Sequence, residues 1–151
     1  MSKHQTLGYR GYIGSRPYAG GEFPQSVQNM LIRNFCQKNK LHFLLSATEY
    51  TMPGCYMMLQ EVVNSMDSLS GIVLFSLDML PDKKTVRMAI YNKLLPCEKT
   101  LHFALEDMSV STWDDIEYIE NIIQLNKIAV TEKMMREFYA ISDVREEVVF
   151  G

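Results

Sequence analysis

A chain of 151 residues can bury a core without disulfide or metal staples, and 47% hydrophobic with 22% charged residues is the balance of a folded globular domain rather than a disordered chain. A net charge of −3 argues against nucleic acid, which is held by many Lys and Arg contacts, and no apolar run approaches the roughly 20 residues that cross a bilayer. Cys36, Cys55 and Cys97 are odd in number and far apart, and the opening MSKHQTLGYR lacks the apolar stretch of a secretory signal, so a reducing, cytoplasmic setting with no disulfide framework is expected.

In chain order, residues 1–6 are expected to be flexible, and residues 7–14 read as a strand carrying Tyr9, Tyr12 and Ile13. Residues 24–39 space Val27, Met30, Leu31 and Phe35 three and four apart behind Pro24, the stripe of an amphipathic helix with proline in its first turn. The unit repeats, with an apolar strand at 41–47 (LHFLLSA) and a helix at 54–66 that turns Met57, Met58 and Val62 inward. Residues 71–77 (GIVLFSL) hold no polar side chain until Ser76, which predicts a central strand covered on both faces. A helix at 83–95 presents Val86, Ile90 and Leu94 inward, with Lys83, Lys84 and Arg87 read as a solvated face. A fourth strand comes next, at 100–105 (TLHFAL). Two C-terminal helices complete the pattern: one at 111–126, opened by Ser111 with Asp114 three residues on, and one at 131–140, with 142–151 left as a tail or short strand.

Strand and helix alternate with short connections, so the expected fold is a single α/β domain over residues 1–151. It holds an open, mostly parallel sheet of four to five strands with helices on both faces, flavodoxin-like or resolvase-like, and the C-terminal helices fall in 112–140. Ligands in such sheets sit beyond the carboxyl ends of the strands, where strand order reverses. That rule selects four loops: 15–23, 48–53, 78–82 and 106–110.

The first loop (SRPYAGGEF) places Ser15, Arg16, Gly20 and Gly21 beside a helix start, where free N–H groups favour an anion. Arg16 there could clamp a phosphate or carboxylate in two contacts, and Ser15 could donate a hydrogen bond or act as a nucleophile. The loop matches neither GxxxxGK[ST] nor GxGxxG, and a plain surface loop is the competing reading. Residues 46–56 (SATEYTMPGCY) crowd Ser46, Glu49, Tyr50, Cys55 and Tyr56 into eleven positions. Glu49 reads either as a general base or as a cap, and Cys55 either as a thiolate at a helix N-terminus or as a small buried filler. Asp78 reads equally as a turn cap and as a functional carboxylate, and Glu106 and Asp107 are similar. His102, inside a strand, reads as a satisfied core histidine. His4, His42, His102 and the cysteines show no zinc-ligand spacing, and no cofactor fingerprint is present, so no metal is expected and the cofactor is unknown.

The segments GYRGYIGSRP, PQSVQNMLIRNFC, SATEYTMPGCYMML, GIVLFSLDMLP and TLHFALE resemble the sporadic carbohydrate cluster proteins, small proteins of bacterial gene clusters for O-antigen, capsule and other surface polysaccharides. The resemblance implies a place in polysaccharide assembly and defines no reaction. YIGS, the helix bearing Gln25 and Gln28, and FSLDML are also similar, more distantly, to the catalytic domain of serine recombinases, with Ser15 at the nucleophile's place. The arginines that such an enzyme turns on the phosphoryl group are missing: Ile13, Met79 and Asp82 stand in their places, which removes the electrostatic support of phosphoryl transfer.

These readings combine into a site for a sugar, sugar phosphate or nucleotide sugar. Arg16, Gln25, Gln28, Ser46, Tyr50, Tyr56 and Asp78 are expected to bind, and Glu49, Cys55 and Ser15 are the candidates for acid, base or nucleophilic chemistry if the protein is an enzyme. The rival reading is a non-catalytic protein that docks on a polysaccharide-pathway enzyme or pairs with a second copy as a homodimer. Trp113, Ile116, Tyr118, Phe138 and Tyr139 are its contact candidates unless they are core.

Overall fold

The computed structural model describes residues 7–15, 23–50 and 54–150, with side chains described through residue 142. Its residues fall into two units, Met1–Asp115 and Ile116–Gly151. Residues 1–6, Arg16 and the glycines at 20 and 21 lie outside the described residues.

The first unit is α/β. Five strands, β1 (Gly8–Gly14), β2 (Phe43–Glu49), β3 (Leu69–Leu74), β4 (Thr100–Phe103) and β5 (Met108–Val110), form one sheet in the order β2-β1-β3-β4-β5. The first four are mutually parallel, and β5 runs antiparallel to β4. The order is that of flavodoxin-like sheets, and it reverses between β1 and β3. The apolar run at 71–77 is central as expected: Ile72, Val73, Leu74 and Phe75 are all fully buried. A β3 residue that lies tight against its neighbour is Gly71, where a Cβ would overlap the Thr100 carbonyl oxygen of β4.

The helices are α1 (Gln25–Lys38), α2 (Met57–Asn64) and α3 (Lys84–Leu94), joined by short 3-10 turns at Met66–Ser68, Leu77–Met79 and Leu95–Cys97. Alternation along β1 sorts its contacts by face. Tyr9 meets His102 edge-on at 5.4 Å, and His102 in turn meets Phe35 of α1 at 5.5 Å. Tyr12, on the opposite face, reaches the start of α2 through Glu49. His102 is a satisfied core histidine: its ring nitrogens lie 2.9 Å from Thr100 Oγ1 and 2.8 Å from Ser109 Oγ, and burial pushes its pKa down to about 4.

Several boundaries differ from the sequence expectation for identifiable reasons. Residues 106–110 are expected as a loop, but Asp107 adopts a left-handed conformation (φ 55°) that Asp tolerates, and the chain returns as β5 in a hairpin. Residues 48 and 49, expected in a loop, belong to β2; the β1–β2 register slips between Arg10 and Tyr12, with the extra residue on β2 between Leu44 and Ala47. Arg87 is buried, not solvated: its Nη1 donates to the carbonyls of Pro81 (3.0 Å) and Asp82 (2.7 Å) and fixes the turn into α3.

The two C-terminal helices are one, α4 (Trp113–Phe150), because residues 127–130 contain neither Gly nor Pro and supply nothing to stop it. Its capping box sits one residue later than expected. The Asp115 N–H donates to Thr112 Oγ1 at 3.2 Å, while the Asp115 carboxylate accepts from the N–H groups of Ser111 and Thr112 at 3.0 and 3.1 Å. These donors, the Ser111 N–H first, hold the Asp115 pKa below its ordinary value. The 38 residues of α4 extend about 57 Å. Its side chains at Trp113, Tyr118, Phe138 and Tyr139 are exposed, whereas Ile116 is buried.

Candidate functional site at the carboxyl edge of the sheet

The reversal between β1 and β3 places the candidate cleft beyond Gly14, Leu74 and Phe103, at the carboxyl ends of β1, β3 and β4. At the end of β1 the backbone is locked by Gln28. Its Oε1 accepts the Gly14 N–H at 3.0 Å, and its Nε2 donates to the Gly14 and Phe23 carbonyls at 2.7 Å each. Gln28 is expected from the sequence to bind substrate; its amide is instead fully engaged with the main chain, and the side chain is buried. This buckle fastens the first turn of α1 to the end of β1.

Glu49 closes β2 and is 2% exposed. Its Oε2 accepts the Tyr12 hydroxyl and the Met58 N–H, both at 2.9 Å, and the Leu59 N–H at 3.2 Å. Its Oε1 receives the Met58 N–H at 3.3 Å and lies 3.5 Å from Cys55 Sγ. Tyr56, the residue before α2, makes no side-chain cap, so Glu49 caps the helix from the neighbouring strand. Of the two sequence readings, base or cap, the geometry is that of a cap: an internal anion held in the positive end of α2. A group whose oxygens are occupied by N–H and O–H donors has little capacity left to take a substrate proton.

The N-terminus of α1 is built differently. Pro24 precedes it and has no side-chain acceptor, Gln25 and Ser26 are exposed, and among the described residues no group accepts from their N–H groups. Ser15 stands at the same edge, exposed, with its N–H donating to the Glu49 carbonyl at 3.2 Å. Arg16 is next to Ser15 in sequence and lies outside the described residues.

On the β3 side, Phe75 carries the Phe23 ring at 5.1 Å. Beyond it, buried Ser76 donates to Glu106 Oε1 at 2.6 Å and accepts the Asp78 N–H at 3.2 Å; the Leu77 N–H reaches both Glu106 oxygens at 3.2 Å. Burial raises the Glu106 pKa, and the Asp78 charge adds to the rise, while the hydrogen bonds from Ser76 and Leu77 oppose it. The Asp78 pKa is raised by burial. Sequence composition gives no sign of the Ser76–Glu106 bond, because its partners are 30 residues apart and each alone reads as turn chemistry.

The remaining expected residues are scattered. Ser46 lies within β2, where its Oγ donates to Asn29 Oδ1 of α1 at 2.7 Å, so it joins helix to sheet and does not stand at the strand end. Tyr50 is 74% exposed. Tyr56 begins an open groove of about 510 Å³ along α2, lined also by Met57, Gln60, Glu61, Asn64 and Ser65, an aromatic ring with carboxamides and a carboxylate beyond it. The turn at 51–53 lies outside the described residues. No three His, Cys, Asp or Glu side chains gather as a metal site among the described residues.

The class these observations define is an α/β domain of order 2-1-3-4-5 whose polar carboxyl edge pairs one internally capped helix end with one that is uncapped among the described residues. Comparison of the chain with family models, curated proteins and solved structures finds no match, so the functional reading rests on this geometry and on the sequence motifs. Among the described residues no helix is long and apolar enough to cross a membrane.

Proposed function

We propose that the protein binds a sugar phosphate or nucleotide sugar at the carboxyl edge of its sheet and serves bacterial surface-polysaccharide assembly. The observation that carries the binding is the uncapped α1 N-terminus at the end of β1: among the described residues, two unclaimed N–H groups and a positive helix end stand beside Ser15. Arg16, next to Ser15 in sequence, is the cation this reading assigns to the phosphate. Hydroxyl-rich chemistry is matched by the exposed Asp78 carboxylate on the β3 side and by the groove that begins at Tyr56. The pathway is supported by the resemblance of GYRGYIGSRP and SATEYTMPGCYMML to the sporadic carbohydrate cluster proteins. Binding is favoured over catalysis because Glu49, the residue placed best for proton transfer in the sequence, serves as a helix cap.

A thermal-shift panel of nucleotide sugars, sugar phosphates and inorganic phosphate tests this. A ligand present at about 100 times its dissociation constant stabilises the native state by about 2.7 kcal/mol, an easily read rise in Tm. The rise is expected for at least one phosphorylated sugar and is lost in Arg16→Ala with the unliganded Tm unchanged. Silence across the panel, or an undiminished shift in Arg16→Ala, overturns the site.

A further inference from the structure

A second open groove, of about 330 Å³, runs along α1 and is lined by Ser26, Asn29, Met30, Arg33 and Asn34. Its chemistry is one-sided. α1 contains no Asp or Glu although the chain holds 18 of them, so the lining offers N–H and O–H donors and a cation but no carboxylate. Asn29 Oδ1 is taken by the Ser46 hydroxyl at 2.7 Å, which leaves the two amide N–H donors of Asn29 without a described partner. Of the two cations on α1, Lys38 is paired with Asp107 at 2.9 Å, whereas no carboxylate among the described residues meets Arg33. The Arg33 guanidinium instead stands over the Phe43 ring at 5.8 Å, a contact that holds it in place and leaves its charge uncancelled. Such a lining matches a ligand that brings a negative charge and oxygen acceptors. The α2 groove differs, because Glu61 there would repel the same ligand.

We propose, on the reading that the phosphates settle at the α1 N-terminus, that this groove receives the sugar of a nucleotide uronate and that Arg33 selects it by pairing with the sugar carboxylate. Ser26 and Arg33 are seven residues apart, about two turns and about 10 Å along the helix axis, the reach of a diphosphate followed by one pyranose ring. A carboxylate suits the groove better than a second phosphate ester does. It carries a single negative charge against nearly two on a phosphate, and the lining has one cation to set against it. Its planar fork also meets a guanidinium in two parallel hydrogen bonds. Asn29 and Asn34 are then left for the ring hydroxyls, and Met30, 54% exposed, for the apolar face of the ring.

Isothermal titration calorimetry of the intact chain with matched pairs, UDP-glucuronate against UDP-glucose and GDP-mannuronate against GDP-mannose, tests the selection. In at least one pair the uronate is expected to bind at least about 10-fold more tightly than the hexose, and Arg33→Gln to bring the two affinities within about two-fold of each other. A uronate bound no more tightly than its hexose in both pairs, or a preference that survives Arg33→Gln, overturns the selection by Arg33; if the hexose nucleotides still bind, the phosphate site at the α1 end stands without it. Absence of binding by all four also overturns the uronate assignment, and the phosphate site falls with it only if the whole thermal-shift panel is silent as well.

Discussion

Helices α1 and α2 both begin at the carboxyl edge of the same sheet, and each leaves backbone N–H groups pointing outward at a positive helix end. At α2 the fold answers that demand from inside: Glu49, carried by the neighbouring strand, takes the N–H groups of Met58 and Leu59 and the Tyr12 hydroxyl in a buried setting. At α1 no described side chain answers it, and the surroundings are exposed. Two chemically similar ends thus have opposite fates. The closed end contributes stability, and the end left open among the described residues is the one to which the proposed ligand is assigned.

The comparison is broken most severely at the closed end. Glu49→Ala removes the acceptor that two helix N–H groups and the Tyr12 hydroxyl share in a buried setting, and urea unfolding is expected to show a loss of about 3 kcal/mol. Next is the buckle that links the two regions. Gln28→Ala unpairs the Gly14 N–H and the Gly14 and Phe23 carbonyls, for a loss of about 2 kcal/mol by the same measurement, with ligand-induced stabilisation reduced as well. The open end should respond in the reverse sense. Ser26→Asp supplies α1 with a carboxylate of its own, raising stability by about 0.5 kcal/mol while abolishing the thermal shift with phosphorylated sugars. If Ser26→Asp leaves that shift intact, the anion does not sit at this helix end.

The smallest effect concerns acidity on the β3 side. Burial raises the Glu106 pKa above its ordinary 4.5, so the folded chain holds the proton to higher pH than the unfolded one. The stabilisation from this group is full below about 4.5 and is lost as pH climbs through the raised value. In Tm measured against pH, Glu106→Gln should flatten that decline. A wild-type curve that rises across the window without flattening in the variant removes Glu106 as its source.

The layers of the fold are legible in the sequence because its strongest signals are local. The apolar run GIVLFSL places its first four residues in buried β3, with Leu77 already in the following 3-10 turn, and the Val27–Phe35 spacing marks a helix, although the side it buries is Gln28, Ile32, Phe35 and Cys36 while Met30 is 54% exposed. The site is less legible because a polar residue near a strand end has two uses with the same local sequence. Glu49 and Gln28 stand out as important, but their partners, Tyr12 with Met58 and Gly14, are fixed by the approach of separate elements. The hairpin to β5 escapes a sequence reading because it depends on one Asp in a left-handed conformation, and the unity of α4 because β-branched residues lower helix propensity without ending a helix.

The register slip in β2 matters beyond the site. β2 is the outermost parallel strand, and a flat outer strand with Leu45 77% exposed would offer its unpaired amides to any extended chain nearby. The extra residue between Leu44 and Ala47 twists and interrupts that row, so the strand is a poor template for fibril growth. Deleting a single residue there would restore the regular spacing and turn a solubility safeguard into a nucleus for aggregation.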